Sequence, residues 1–316
     1  MTSVARRPRR QLAPVPDAGA VTWTTATQAF LAARDLSAGT RRVYGDTFAA
    51  LARELGDDAR LSDLTPLALS AALTDVWGDA SPATWNRSLA TVRSMLAFCA
   101  RQGWLDDDDA DGLTRPLERR RERADAGRVI ALDELERLLQ RRDVPVRERA
   151  LWRLLYETAA RAEEVLRLNI EDLDLANRRA RIVGKSGDVE FIHWQTASAR
   201  LLPQVIGNRT MGPLFLASRA PQLARVPAVG DICPTSGYAR LSYRRAAEQF
   251  SHFAGGRTIH SLRHSAITRL AEEGVDIVML MAKSRHSSLR SLQRYARPSV
   301  DAVARLTAAH DPARRR

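Results

Sequence analysis

Tyr295 lies between Arg294 and Arg297, in a short segment stopped by Pro298. A phenol among guanidiniums in a basic chain poses a chemical question: whether it is a nucleophile aimed at a phosphate. Other residues along the chain would complete such a reaction. His260 and Arg263 form a His-x-x-Arg pair at the mouth of an amphipathic run. His286 stands in the basic turn Lys283-Ser284-Arg285-His286-Ser287-Ser288. Arg161 follows the small residues Thr158-Ala159-Ala160, at a break between two apolar helical faces, and Lys185 sits in Gly184-Lys185-Ser186-Gly187 between two strand-like runs. Phosphoryl transfer needs a nucleophile, cations for the non-bridging oxygens and a proton for the leaving oxygen. Arg161 and Arg263 offer two planar forks that never lose their charge. Lys185 can protonate a leaving 5′-oxygen. Tyr295 can attack phosphorus and hold it covalently, so that strands are rejoined without ATP. Singly, each has a plainer reading: Arg161 as a surface arginine in a tight helix pair, Lys185 as a solvated turn residue.

Rival chemistries lack their parts. His260 and His264 are four apart, the spacing of a zinc-binding helical pair, but Ser261 stands where the glutamate of H-E-x-x-H belongs and no third ligand is evident. No G-x-S-x-G elbow is present, and no G-x-x-x-x-G-K-[ST] loop for a nucleotide-driven motor.

The elements that must position these groups fall into two domains, the natural expectation for 316 residues. A net charge of +12 points to an acidic partner, nucleic acid being the commonest. Cys99 and Cys233 are far apart and suit a reducing cytoplasm, and no apolar run approaches a membrane span. Residues 1–20 read as a disordered basic arm. From 21 to 104, apolar residues recur at helical spacing in four runs with no strand pattern, which predicts a small four-helix bundle. Ser37, Thr65-Pro66 and Ser81-Pro82 are start signals, and Gly56, Gly78 and Gly103 stop signals. Arg41, Arg42, Arg87 and Arg93 are read as solvated charges before DNA contacts. Residues 105–129, acidic and then strongly charged, read as an extended linker. From 130 the spacing predicts a short helix near Asp133–Leu139, a longer one at Arg147–Glu157, a β-hairpin of Arg178–Val183 with Val189–Trp194, and helices near Thr196–Ile206 and Tyr238–Phe253. The expected fold class is mainly α: a helical bundle followed by a mixed α+β domain with a small antiparallel sheet.

Taken together, the motifs resemble the tyrosine recombinase (phage integrase) family. The first arginine box is similar to Thr158-Ala159-Ala160-Arg161-Ala162-Glu163-Glu164, and the H-x-L-R-H box to His260-Ser261-Leu262-Arg263-His264. The later histidine box matches His286-Ser287-Ser288, the nucleophile segment Arg294-Tyr295, and the hairpin lysine Lys185. The resemblance implies that Tyr295 is the nucleophile, that Arg161 and Arg263 bind the scissile phosphate, and that Lys185 is the general acid. It makes His260 a proton-handling group, His286 a hydrogen-bond donor to phosphate, and Glu164 a brace. Residues 21–104 resemble the family's core-binding domain, and 130–316 its catalytic domain with a C-terminal tail.

By the same resemblance the protein is a site-specific recombinase of double-stranded DNA, cutting through a 3′-phosphotyrosine and exchanging strands through a Holliday junction. It would work as a homotetramer on two paired sites, with no metal or nucleotide cofactor, in the cytoplasm at the nucleoid; an accessory directionality protein stays open. Type IB topoisomerase-like religation and a non-cleaving architectural protein are the alternatives. Three departures from the family pattern stand out: Ala159 in place of a glycine, Ser284-Arg285-His286 in place of Leu-Gly-His, and the acidic Asp188 and Glu190 on a hairpin that is usually basic. In the tail, Val300, Val303, Ala304 and Leu306 recur at helical spacing and need a surface to pack on.

Overall fold

The structure, a computed structural model, describes residues 20–122, 129–184, 187–220, 227–286, 288–292, 303–304 and 307–308. The basic arm, Lys185, the Arg294-Tyr295 segment and most of the tail lie outside the described residues. The chain divides into two compact units, residues 1–123 and 124–316.

The first unit is built on α1 (Trp23–Ala33), α2 (Ala38–Leu55), α3 (Pro66–Trp77) and α4 (Pro82–Arg101). Each begins on a hydroxyl cap: Thr22, Ser37, Thr65 and Ser81 accept from the backbone N–H groups of Thr25, Thr40, Ala68 and Thr84. Such caps are worth about 1 kcal/mol each. Pro66 and Pro82 occupy the first turns, where a missing N–H breaks no helical bond. Trp23, Phe30, Phe48, Leu51, Leu73, Leu89 and Leu96 fill the core, and Phe30 meets Phe48 and Phe98 edge-on with ring centroids 5.7 and 5.6 Å apart. Leu67 is 81% exposed, because the inward face of α3 is Leu69, Ala72 and Leu73, on the far side of the helix from it.

The stretch from 105 that reads as an extended linker is folded up to the last described residue. Asp107–Gly112 forms α5, with Asp107, Asp108 and Asp109 in its first turn, where the helix dipole favours negative charge. Ala110, Leu113 and Leu117 are buried in the same core as α4. Arg93 reaches across to donate to the carbonyls of Thr114 (3.2 Å) and Leu117 (2.7 Å). Trp85 Nε1 donates to the Glu118 carbonyl, Asn86 and Arg120 exchange two hydrogen bonds, and the Arg120 guanidinium lies 4.0 Å from the Trp85 ring centroid. The apolar positions 110, 113 and 117 are sparse enough to be masked by the surrounding charge.

The second unit is organised around α7 (Val146–Thr158), preceded by α6 (Leu132–Gln140) and followed by α8 (Ala162–Leu166). Leu151, Trp152, Leu154 and Leu155 of α7 are buried. Strands β1 (Leu173–Asp174), β2 (Arg179–Val183) and β3 (Val189–His193) make an antiparallel sheet in the order β1-β2-β3, with Val183 opposite Val189, and Ile182 opposite Glu190. β1, at two residues, is too short to leave a period in the sequence. Glu157 of α7 accepts from the N–H groups of Gln195 (2.8 Å) and Ser198 (3.3 Å), capping α9 (Thr196–Ile206) from outside it. α10 (Tyr243–Phe253) starts five residues later than its apolar pattern predicts. Ser242 is its cap, and the residues before it are extended, held where Leu241 N–H donates to the Phe215 carbonyl. Three further helices follow, α11 (His260–Glu272), α12 (Ile277–Ser284) and α13 (Leu289–Leu292). Among the described residues the architecture is thus mainly helical with one small antiparallel sheet. Among the described residues no helix is long and apolar enough to cross a membrane.

Candidate active site

The site forms where α7, α11 and α12 end or begin side by side. α7 stops because Ala159 turns into the left-handed region (φ 52°, ψ 25°), while Thr158 Oγ1 donates back to the Leu154 carbonyl at 2.6 Å and accepts from Ala160 N–H. For a residue with a Cβ this conformation costs about 1–2 kcal/mol. The Ala159 methyl is fully buried in a cluster with Ala266, Ile267, Leu280 and Leu292, which offsets part of that cost. The turn delivers Arg161 to the start of α8. Glu164 folds back on it, one oxygen accepting from the Arg161 N–H (2.8 Å) and the other from Nη1 (2.7 Å). The Arg161 side chain keeps 40% of its surface exposed.

Arg263, in the first turn of α11, is only 2% exposed. Nη1 donates to the Ala159 carbonyl and Nη2 to the Ser284 carbonyl, both at 2.6 Å, and Nη2 also lies 3.2 Å from His286 Nε2. One guanidinium therefore joins the ends of α7 and α12 to the histidine turn.

The tautomer of His286 follows from its neighbours. Ser284 Oγ donates to the Leu280 carbonyl at 2.5 Å, so at its 2.6 Å contact with His286 Nδ1 it acts as acceptor. Nδ1 then carries the proton, and Nε2 accepts from Arg263. Burial, with Arg263, Arg161, Arg285 and His260 around the ring, lowers the His286 pKa to about 4. His260 opens α11 and is exposed, its ring meeting His264 edge-to-face with centroids 5.1 Å apart. Among the described residues no group of three His, Cys, Asp or Glu side chains is arranged to hold a metal ion.

Arg285 is the residue whose part sequence reasoning did not foresee. It closes α12 in the left-handed region (φ 53°, ψ 46°), and its side chain is 6% exposed. Nη2 donates to Glu164 at 2.7 Å, Nη1 to the Lys283 carbonyl at 3.1 Å, and Nε lies 3.5 Å from Glu190 on β3. Burial of Glu164 works against its charge, but Arg285 and Arg161 outweigh it and hold the carboxyl below its usual range. Two departures from the family pattern, Arg285 and Glu190, thus face each other. Their opposite charges were the available signal, but nothing in the sequence spacing pairs them.

The described residues bring together Arg161, Glu164, Arg263 and His286, with His260 close enough to act on the His286 charge. Lys185 falls between Gly184 and Gly187, where Gly184 N–H donates to the Asp188 carbonyl at 2.8 Å to close the turn. Three residues before Tyr295, Leu292 is fully buried in the cluster that contains Ala159.

A mainly helical chain with a three-stranded sheet and a buried arginine, a second arginine and a histidine at one junction of helix ends defines a class. The sequence profile of the phage integrase family matches residues 128–301. The chain belongs to that family, the tyrosine recombinases. Tyrosine recombinase XerC of Mycobacterium sp. (strain KMS) is 30% identical over 295 residues, covering 89% of this chain and 94% of that protein. Tyrosine recombinase XerC of Pelobacter propionicus is 28% identical over 280 residues, covering 85% and 87%. Among solved structures, the Tn1549 transposon integrase (residues 82–397, R225K) in complex with a circular intermediate DNA shares the fold, with a TM-score of 0.71 at 16% identity over 91% of this chain and 99% of that one.

Proposed function

We propose that this recombinase cleaves and rejoins duplex DNA at a phosphate held by Arg161 and Arg263, with Tyr295 as nucleophile. The observation that carries the reading is the convergence of Arg161, Arg263 and His286 on one junction of helix ends. Two guanidiniums neutralise the non-bridging oxygens as charge develops there. The Tyr295 oxygen attacks phosphorus, the bond from phosphorus to the 5′-oxygen breaks, and that oxygen leaves with the electron pair and takes a proton from Lys185. The phenolic proton passes to His260. The product is a 3′-phosphotyrosine and a free 5′-hydroxyl, and attack by a 5′-hydroxyl from the partner strand reverses the step. Glu164 braces Arg161 and takes no proton.

Residues 21–122 form the core-binding half of a DNA clamp in this reading, and the active assembly is a homotetramer on two paired sites that passes through a Holliday junction. A suicide substrate nicked beside the scissile phosphate tests it. Covalent capture of the protein, with recombinant product from paired intact sites, is the expected result. Capture without recombinant product would leave a topoisomerase-like strand transferase, and no capture would overturn the proposal.

A further inference from the structure

The acidic Glu190 and the arginine that replaces a small residue before His286 form an ion pair, Arg285 Nε lying 3.5 Å from a Glu190 oxygen without a hydrogen bond, and this pairing has a mechanical meaning. Arg285 sits in the left-handed region with its side chain almost fully enclosed. A residue with a Cβ persists in such a conformation only where its surroundings over-determine it. Here the surroundings are two carboxylates on different elements: Glu164, which also grips Arg161 at 2.7 Å, and Glu190 on β3. The same turn touches β3 a second time, since Lys283 Nζ donates to the carbonyl of His193, the last residue of that strand, at 2.9 Å. Glu190 lies opposite Ile182 on β2, one residue pair before the turn. The hairpin that carries Lys185 in its sequence between Gly184 and Gly187 thereby rests on a strand that is ion-paired near one end and hydrogen-bonded at the other to the segment that carries His286.

We propose that Arg285 is a positioning residue, latching the β2–β3 hairpin through Glu190 to the arginine cluster through Glu164, so that the hairpin lysine reaches the leaving oxygen when the phosphate is clamped. This rests on the reading of Lys185 as general acid. The arrangement joins proton delivery and phosphate binding in a chain of contacts: Arg161, Glu164, Arg285, Glu190.

The test is single-turnover cleavage at saturating protein, on a nicked site with either oxygen or sulfur as the 5′-bridging atom. Breaking the phosphorus–sulfur bond leaves a thiolate, which needs no proton, so it separates proton delivery from phosphate clamping. Glu190→Gln is expected to bind DNA as the unmodified protein does, to cleave the oxygen-bridged site about tenfold or more slowly, and to cleave the sulfur-bridged site at the unmodified rate. Lys185→Ala is the control and should show the same pattern more strongly. Equal slowing of Glu190→Gln on both substrates, no slowing, or faster cleavage would overturn the latch. If Lys185→Ala itself gains nothing from sulfur, the general-acid reading is what fails. The latch is then decided by combining Glu190→Gln with Arg285→Gln: rate losses that multiply as independent effects overturn it, and a double variant no slower than the worse single one supports it.

Discussion

The guanidinium of Arg263 and the carbonyl of Ala159 meet at 2.6 Å, although 104 residues separate them in the chain. The contact fixes the left-handed turn at the end of α7 to the first turn of α11, and so sets where Arg161, two residues beyond Ala159, can point. Arg263 therefore has a structural role beside the phosphate-binding one proposed for it, which distinguishes it from Arg161.

Substituting the two arginines should separate these roles. Arg161→Ala and Arg263→Ala should each slow cleavage by about a hundredfold or more, the scale of losing one contact to developing negative charge. Arg263→Ala should also cost about 2 kcal/mol or more of stability, because two buried carbonyls lose their donor. Arg161→Ala, whose side chain is 40% exposed, should stay within about 1 kcal/mol. Urea titrations beside single-turnover rates check both, and equal stability losses would count against the assignment.

Tyr295→Phe should abolish covalent adducts and leave DNA affinity nearly unchanged, since it removes only the hydroxyl. Adduct formation by this variant, assayed by denaturing gel on a nicked site, would move the nucleophile elsewhere.

His286 should stay neutral in the DNA-free protein until the pH falls to about 4. Its folded pKa is depressed below the ordinary value of about 6.5. Its contribution to stability is therefore fully present above that pH, declines as pH falls, and is lost once the pH has passed through about 4. A bound phosphate should raise the pKa again and so take up a proton. NMR titration of the ring, free and on a cognate site, measures both. A ring that is charged at pH 6 without DNA would contradict the geometry.

Leu292→Ala should open a cavity beside Ala159 and cost about 2–5 kcal/mol if the site cannot collapse. Because Leu292 anchors the helix three residues before Tyr295, cleavage should fall several-fold further than DNA binding. Parallel losses in the two measurements would show that α13 does not govern the nucleophile.

Much of this was legible before any coordinates. Hydroxyl caps at Ser37, Thr65 and Ser81 and the hairpin between Val183 and Val189 are local signals, and local structure follows them. The residues of the arginine and histidine boxes are named by type and order alone. What the sequence could not carry is contact between distant elements. Glu190 was readable as a misplaced acid and Arg285 as a misplaced base, yet only the fold makes them partners. Arg93, read as a solvated charge, spends its donors on the Thr114 and Leu117 carbonyls. Its true setting depended on Leu113 and Leu117 returning to the bundle, which three apolar residues amid charge do not announce.

The packing of residues 105–122 against α4 locates the seam at which the protein can be recut. A graft of the first unit onto a relative's catalytic unit, joined at Trp104, would strip Trp85 of its Glu118 and Arg120 partners and leave Arg93 facing solvent in place of two carbonyls. A graft joined after Glu122 carries that clasp along intact. The natural border for exchanging the first unit therefore lies close to Arg123, well past the end of the fourth helix.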